Sequence, residues 1–224
     1  DWFQSGEIIL YAGLCVVGAY VFTVHCLTSS APFLPIALIR NRNYAIGLVI
    51  VLVFGMLNFT PMTLLPPLLQ TLGGHPDSVI GLVLSARGFG TLTGFATMFF
   101  ASRVEPRVML TLGFLCQALS GWWLAQLDLS LSMSDLYFAI YLQGLGVGLL
   151  WVPITVVSFA TLRADLVSEG MAFFHLLRNV GSSIHISVSV ALVLYSTRTN
   201  YAHLSEFVSS YNENWTLPWV SGAW

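Results

Sequence analysis

The chain has 224 residues, of which 56% are hydrophobic and only 8% charged, and it contains no lysine. A water-soluble domain carries about 25% charged residues, so this composition cannot cover a soluble globule. With a formal net charge of −2 and no basic patch, it offers no surface to nucleic acid.

The apolar runs are each about 20 residues or longer, enough to cross a hydrocarbon core of about 30 Å. Lipid offers the backbone no hydrogen bonds, so such runs must be helices. The chain reads as an all-α polytopic membrane protein with six spans, at roughly 8–28, 44–69, 79–101, 107–127, 135–161 and 169–196. Cys15 and Cys26 lie in the first span and Cys116 in the fourth, with no CxxC pair. They read as buried thiols, and neither a disulfide frame, a metal site nor a cofactor is indicated.

Arginine placement gives the orientation. Arg40 and Arg42 follow the first span, Arg103 and Arg107 the third, and Arg163 the fifth. The alternate loops, 70–78 and 128–134, hold His75, Asp77 and Asp128 but no arginine. The positive-inside rule then makes the arginine loops cytoplasmic. The first residues and the polar, aromatic tail 197–224 fall outside, with Arg198 a lone exception. A chain that starts Asp1-Trp2-Phe3, without an initiator methionine and with both ends outside, is expected to be a piece of a longer protein.

The second span contains Pro61, Pro66 and Pro67 in FTPMTLLPPLLQ, where each proline removes a backbone donor and invites a kink. The third and fifth spans gather glycines: Gly88, Gly90 and Gly94 in RGFGTLTG, and Gly144, Gly146 and Gly148 in QGLGVGLLWVP. Both contain GxxxG, which lets helix backbones approach closely.

Two arginines lie deep in spans. Arg87 is about 12 Å from the outer start of the third span, and Arg178 a similar distance from the cytoplasmic start of the sixth. A central charge costs at least about 2.5–3.5 kcal/mol, and such residues face a bundle interior or an aqueous cavity. His175, Arg178, Ser182, His185 and Ser189 recur at spacings of three, four, three and four. They fall within about 80° of arc, a single polar stripe that fits a hydrated path or a helix–helix contact. Asn179 borders it. Asn58, Gln117 and Gln143, in other spans, are expected to make interhelical hydrogen bonds. No carboxylate lies deep within any span, so an embedded proton-carrying acid is expected elsewhere in a longer chain.

An enzyme is disfavoured. Ser182 and His185 share one helix, no GxSxG turn is present, and paired intramembrane aspartates are lacking. His175 and His185 lie about 15 Å apart along one helix and cannot share a haem.

Several strings in order resemble the 14-span drug:proton antiporters of the major facilitator superfamily, the EmrB/QacA branch. They are DWFQSGEIIL, LIRNRNYAIG, LLPPLLQTLGGHP, GLVLSARGFGTL, RVEPRVMLTLGF, VPITVVSFATL, EGMAFFHLLRNVGSSIHISV and YAHLSEFV. The resemblance covers nearly the whole chain and implies a fragment of a major-facilitator fold holding spans eight to thirteen, the C-terminal part. Residues 1–43 would be the second linker helix and a cytoplasmic loop, 44–196 five helices of the C-terminal bundle, and 197–224 an extracytoplasmic segment. It further implies a proton-coupled multidrug efflux permease of a bacterial inner membrane. The cargo would be amphipathic small molecules exchanged for protons. The missing N-terminal bundle of the same chain would complete it, and a periplasmic adaptor and an outer-membrane channel are candidate partners. The expected pathway residues are Arg178, His185, Ser182, His175, Arg87, Asn179, Asn58 and Gln143, with Arg103, Glu105 and Arg107 in a cytoplasmic loop.

Two departures stand out. The loop signature of the family, an acidic residue followed by Arg and Gly, is degraded here to Ser102-Arg103-Val104-Glu105-Pro106-Arg107. His185 stands where relatives usually carry glycine. A narrow-specificity exporter of an antibiotic, siderophore or sugar, and a non-transporting scaffold or sensor, are the alternatives.

Overall fold

The computed structural model describes residues 5–29, 35–71, 73–100, 104–126 and 132–206. Among them lie seven α-helices: α1 (Gly6–Thr28), α2 (Ile36–Arg40), α3 (Arg42–Thr71), α4 (Asp77–Phe100), α5 (Pro106–Gln126), α6 (Met133–Phe159) and α7 (Val167–Glu206). A 3-10 turn, Ala164–Leu166, leads into α7. All but α2 are long and apolar enough to cross a membrane, so the six expected spans are all present. Their starts follow from local chemistry. Glu7, Asp77, Asp135 and Glu169 sit in first turns, where a negative charge offsets the positive end of the helix dipole. Pro106 opens α5 at the position where its missing N–H has no intrahelical acceptor to serve.

α6 is the central helix, with thirteen buried residues including Gln143, Gly144, Gly146 and Gly148. Its glycines serve two faces. A Cβ on Gly144 or Gly148 would strike the α4 backbone at Arg87 and Thr91, and one on Gly94 would strike Leu145 and Gly148 in return. Gly146 faces the other way, its Cβ position 2.8 Å from the Gly113 carbonyl oxygen of α5. The expected close approach is therefore real for Gly90, Gly94, Gly144 and Gly148. Gly88, by contrast, faces open space.

α3 and α7 run parallel and cross closely. A Cβ on Gly55 would collide with the Arg178 carbonyl, and one on Gly181 with the Leu52 carbonyl. Below the crossing, the buried Tyr44 donates its hydroxyl to Gly170 O at 2.7 Å. Its ring meets Phe159 edge-on, and Phe159 in turn meets Phe174. These rings belong to one apolar cluster, with Leu38, Val51, Phe54, Leu150 and Ile154. A second cluster at the opposite end holds Leu69, Ile80, Val83, Leu136 and Ile140. α1 contributes no buried residue and touches the first cluster only through partly buried Phe22 and Cys26.

The ends of the bundle are chemically distinct. Asn41 Nδ2 donates to Thr161 O at 2.9 Å while Thr161 Oγ1 donates to Asn41 Oδ1 at 2.9 Å. A groove of about 410 Å³ between Asn43, Glu105, Arg107, Val156 and Ala160 adjoins this junction. Arg40, Arg42, Arg107 and Arg163 thus gather at one end, as one cytoplasmic face requires. Arg103 lies outside the described residues. At the other end Gln70 donates to Asp77 at 3.2 Å, and Gly74 takes the left-handed conformation, φ 62°, in the turn between α3 and α4.

α3 is helical through Pro61, Pro66 and Pro67. One feature differs from expectation: α7 continues to Glu206, ten residues past the expected end at 196. The segment TRTNYAHLSE has neither glycine nor proline to stop it, and Thr197 and Thr199 donate back to Val193 and Tyr195 carbonyls.

Candidate functional site: a polar belt around the middle of α3

Pro61 has no N–H, so the carbonyl four residues earlier, Leu57 O, loses its helical donor. In lipid that group needs a substitute. Gln143 of α6 supplies one, donating from Nε2 to Leu57 O at 3.4 Å. The continuity of α3 through its first proline is thus tied to a side chain on another helix.

The next three residues of α3 also meet partners from other helices. Arg87 of α4 donates through Nη2 to both the backbone oxygen (2.8 Å) and Oδ1 of Asn58. The same guanidinium donates through Nε to Gln143 Oε1 at 2.9 Å, and through Nη1 to Met62 Sδ at 3.5 Å. Gln117 of α5 completes the cluster by donating to Gln143 O at 3.0 Å. One step on, the Phe59 ring lies 5.8 Å from the Arg178 guanidinium of α7, with Trp151 of α6 at 5.1 Å on a second side. Finally, Thr60 Oγ1 donates to Met56 O at 2.8 Å and lies 2.6 Å from His185 Nδ1. Thr60 has one hydroxyl proton and a carbonyl can only accept. With that proton given to Met56 O, the contact with His185 needs Nδ1–H as its donor.

Residues 57–60, just before a proline, thus each engage a different partner. The belt joins α3 to α4, α6 and α7, and Gln117 attaches α5 to α6 behind it. Of the expected residues, Arg87, Asn58 and Gln143 come together in one network, with Gln117 behind them. Arg178 and His185 form two separate contacts on the α7 side.

The polar stripe of α7 is largely a seam between helices. Ser182 is buried and donates to Asn179 O at 2.8 Å. His175 packs over Trp151, ring centroids 6.0 Å apart. Asn179 is exposed and accepts from Arg178 Nε and Nη2 at 3.4 and 3.2 Å. Glu105 and Arg107 lie apart from the belt, at the groove beside Asn43 and Ala160. Sequence reasoning missed Phe59, Thr60, Met62 and Trp151. The one available signal was Pro61, which orphans Leu57 O but does not say which helix answers it.

No group of three or more His, Cys, Asp or Glu among the described residues is arranged to hold a metal ion. The only ion pair among them joins Arg163 and Asp165 at 2.9 Å, at the end where the arginines gather.

Comparison with known proteins places this bundle. The chain is 26% identical over 214 residues, 95% of its length, to the multidrug export protein EmrB of Haemophilus influenzae. It is 24% identical over 215 residues to the fatty acid resistance protein FarB of Neisseria gonorrhoeae, again 95% of its length. The chain is a relative of the EmrB-type exporters. An MFS-type transporter of Bacillus subtilis, YhcA, is 24% identical over 89% of the chain and 38% of its own length. The chain spans 42% of the length of the EmrB and FarB relatives. No family model matches it. Six apolar helices and EmrB-type relatives together make it an all-α, multi-pass protein of a bacterial cell (inner) membrane.

Proposed function

We propose that this chain is the C-terminal part of a proton-coupled efflux permease for amphipathic small molecules, working by the rocking of two bundles around a central cavity. The observation that carries the reading is the belt at residues 57–60. It sets two arginines, three amides and a histidine in the middle of spanning helices, where polar groups are costly unless they serve a path or a packing seam. Relatives named for multidrug export and for fatty acid resistance support a broad cargo range. On this reading α1, with no buried residue, is the linker helix of residues 1–43. Helices α3 to α7 form the bundle of 44–196, and 197–224 is extracytoplasmic. The N-terminal bundle would close the cavity and supply the proton-carrying carboxylate. A periplasmic adaptor and an outer-membrane channel would extend the route. Arg178, His185, Ser182, His175, Arg87, Asn179, Asn58 and Gln143 then border the pathway, with Arg87, Asn58 and Gln143 fixing its wall.

Transport rather than catalysis also agrees with Ser182, whose hydroxyl is given to Asn179 O instead of to a base. The test is export of ethidium and of dansylated fatty acid from proteoliposomes containing the full-length protein, driven by an imposed pH gradient. Gradient-dependent export of several unlike compounds is expected. Export of one compound class alone would replace this reading by a narrow-specificity exporter, and no export from correctly folded protein by a scaffold.

A further inference from the structure

The two membrane-depth arginines are held in opposite ways. Arg87 has an acceptor for each of its three nitrogens: Gln143 Oε1, Asn58 O and Oδ1, and Met62 Sδ. Four of its five N–H donors are thus used, and its role is to tie α4 to α3 and α6. Arg178 differs. A guanidinium offers five N–H donors in a planar fork, yet among the described residues Asn179 Oδ1 is its only hydrogen-bond acceptor, at 3.2 and 3.4 Å. The rest of its stabilisation comes from the faces of Trp151 and Phe59. These favour a cation but accept no directed hydrogen bonds.

No carboxylate among the described residues neutralises Arg178, since the sole ion pair is Arg163–Asp165. The acidic residues of the spanning helices sit in first turns or, for Glu206, at the last residue. Arg178, Trp151 and Phe59 are each only partly covered, so part of the guanidinium and of both rings is left accessible in this bundle. A planar donor fork with an unfilled edge, flanked by aromatic walls, matches a carboxylate or sulfonate attached to an apolar body.

We propose that Arg178, walled by Trp151 and Phe59, is the subsite for the anionic head group of an amphipathic cargo. The apolar part of that cargo lies along the two rings. The proposal rests on the exporter reading and narrows it: a cationic amphipath meets an unneutralised positive charge here and gains nothing from the subsite.

The test uses the purified full-length protein and two probes that share a dansylated undecyl chain, one ending in a carboxylate and the other in a trimethylammonium group. Binding is read by energy transfer from tryptophan, with unlabelled undecanoate as competitor. The carboxylate probe is expected to bind the tighter of the two. Arg178→Gln should weaken it about tenfold or more, the scale of one charge-assisted contact, and leave the ammonium probe unchanged or tighter. Arg178→Lys, which keeps charge but loses the fork, should recover part of the loss. Equal weakening of both probes by Arg178→Gln, or no preference for the carboxylate in the wild type, overturns the proposal. Proteoliposome export of the same probes separates the two levels. If the wild type binds the carboxylate selectively but exports neither probe, the exporter reading falls while the subsite stands. If it exports the ammonium probe alone, the subsite falls while export itself stands, narrowed to one compound class.

Discussion

Replacing Gln143 with methionine keeps the length of the side chain and removes both of its polar contacts. The first, Oε1 with Arg87 Nε at 2.9 Å, is charge-assisted and of the kind worth about 1.5–3 kcal/mol. The second, Nε2 to Leu57 O at 3.4 Å, is long, and interhelical hydrogen bonds in membranes average about 0.6 kcal/mol. Gln143 is 3% exposed, so water cannot readily replace either. The expected loss is about 2–3 kcal/mol of stability. If the losses come from the network, they must not add. In an Arg87→Met background the charged bond is already gone, and Gln143→Met should cost only the Leu57 contact. The coupling between the two substitutions should then be about 1.5–2 kcal/mol. Reversible unfolding of the full-length protein by SDS in mixed micelles, followed by circular dichroism, measures each corner of this cycle. Additive effects, or a Gln143→Met loss below about 0.5 kcal/mol, would refute the account of the belt as one connected network.

The remaining predictions concern neighbouring residues. Gly88→Ala should be neutral or stabilising by about 0.5–1 kcal/mol, because a helix-interior glycine gains from a Cβ that meets nothing. Gly144→Ala, whose Cβ meets the Arg87 carbonyl, should cost about 1–3 kcal/mol as α4 is pushed away; thermal unfolding of both variants in parallel shows whether the signs differ. His185→Leu should cost about 0.5–1.5 kcal/mol of stability, because it removes the contact that bonds α7 directly to Thr60 of α3; an unchanged unfolding midpoint in the full-length variant would show that this contact carries no weight. In a variant with Cys15, Cys26 and Cys116 replaced by serine, Ser78→Cys should react with a membrane-impermeant maleimide from outside the cell. Ala164→Cys should react only after permeabilisation, and the reverse pattern would invert the positive-inside assignment.

Much of the fold was legible because the bilayer leaves few choices. An apolar run of spanning length must be a helix, and arginines in alternate loops orient every helix at once. The structure gathers Arg40, Arg42, Arg107 and Arg163 at one end, as that pattern required. The contacts of the site were less legible because they join distant positions: Arg87 with Asn58 and Gln143, His185 with Thr60, Arg178 with Phe59 and Trp151. Periodicity shows that residues share a face of α7 but not what that face meets, so a stripe compatible with a water path is seen here as a seam against α3 and α6. The substitute donor for Leu57 O was hidden for a related reason: Gln143 lies 86 positions away.

The belt also has a mechanical consequence. Four consecutive residues of α3, spanning little more than one turn, are each gripped by a different neighbour. A rotation of α3 by one residue, about 100°, would release all four together. The middle of the bundle therefore behaves as a stiff collar, and whatever compliance the protein has must lie toward the helix ends or along α1. On the proposed exporter reading, a bundle clamped in this way would move as one lever: shape change in the middle of the membrane would come from tilting the whole body against a neighbour, not from helices twisting within it.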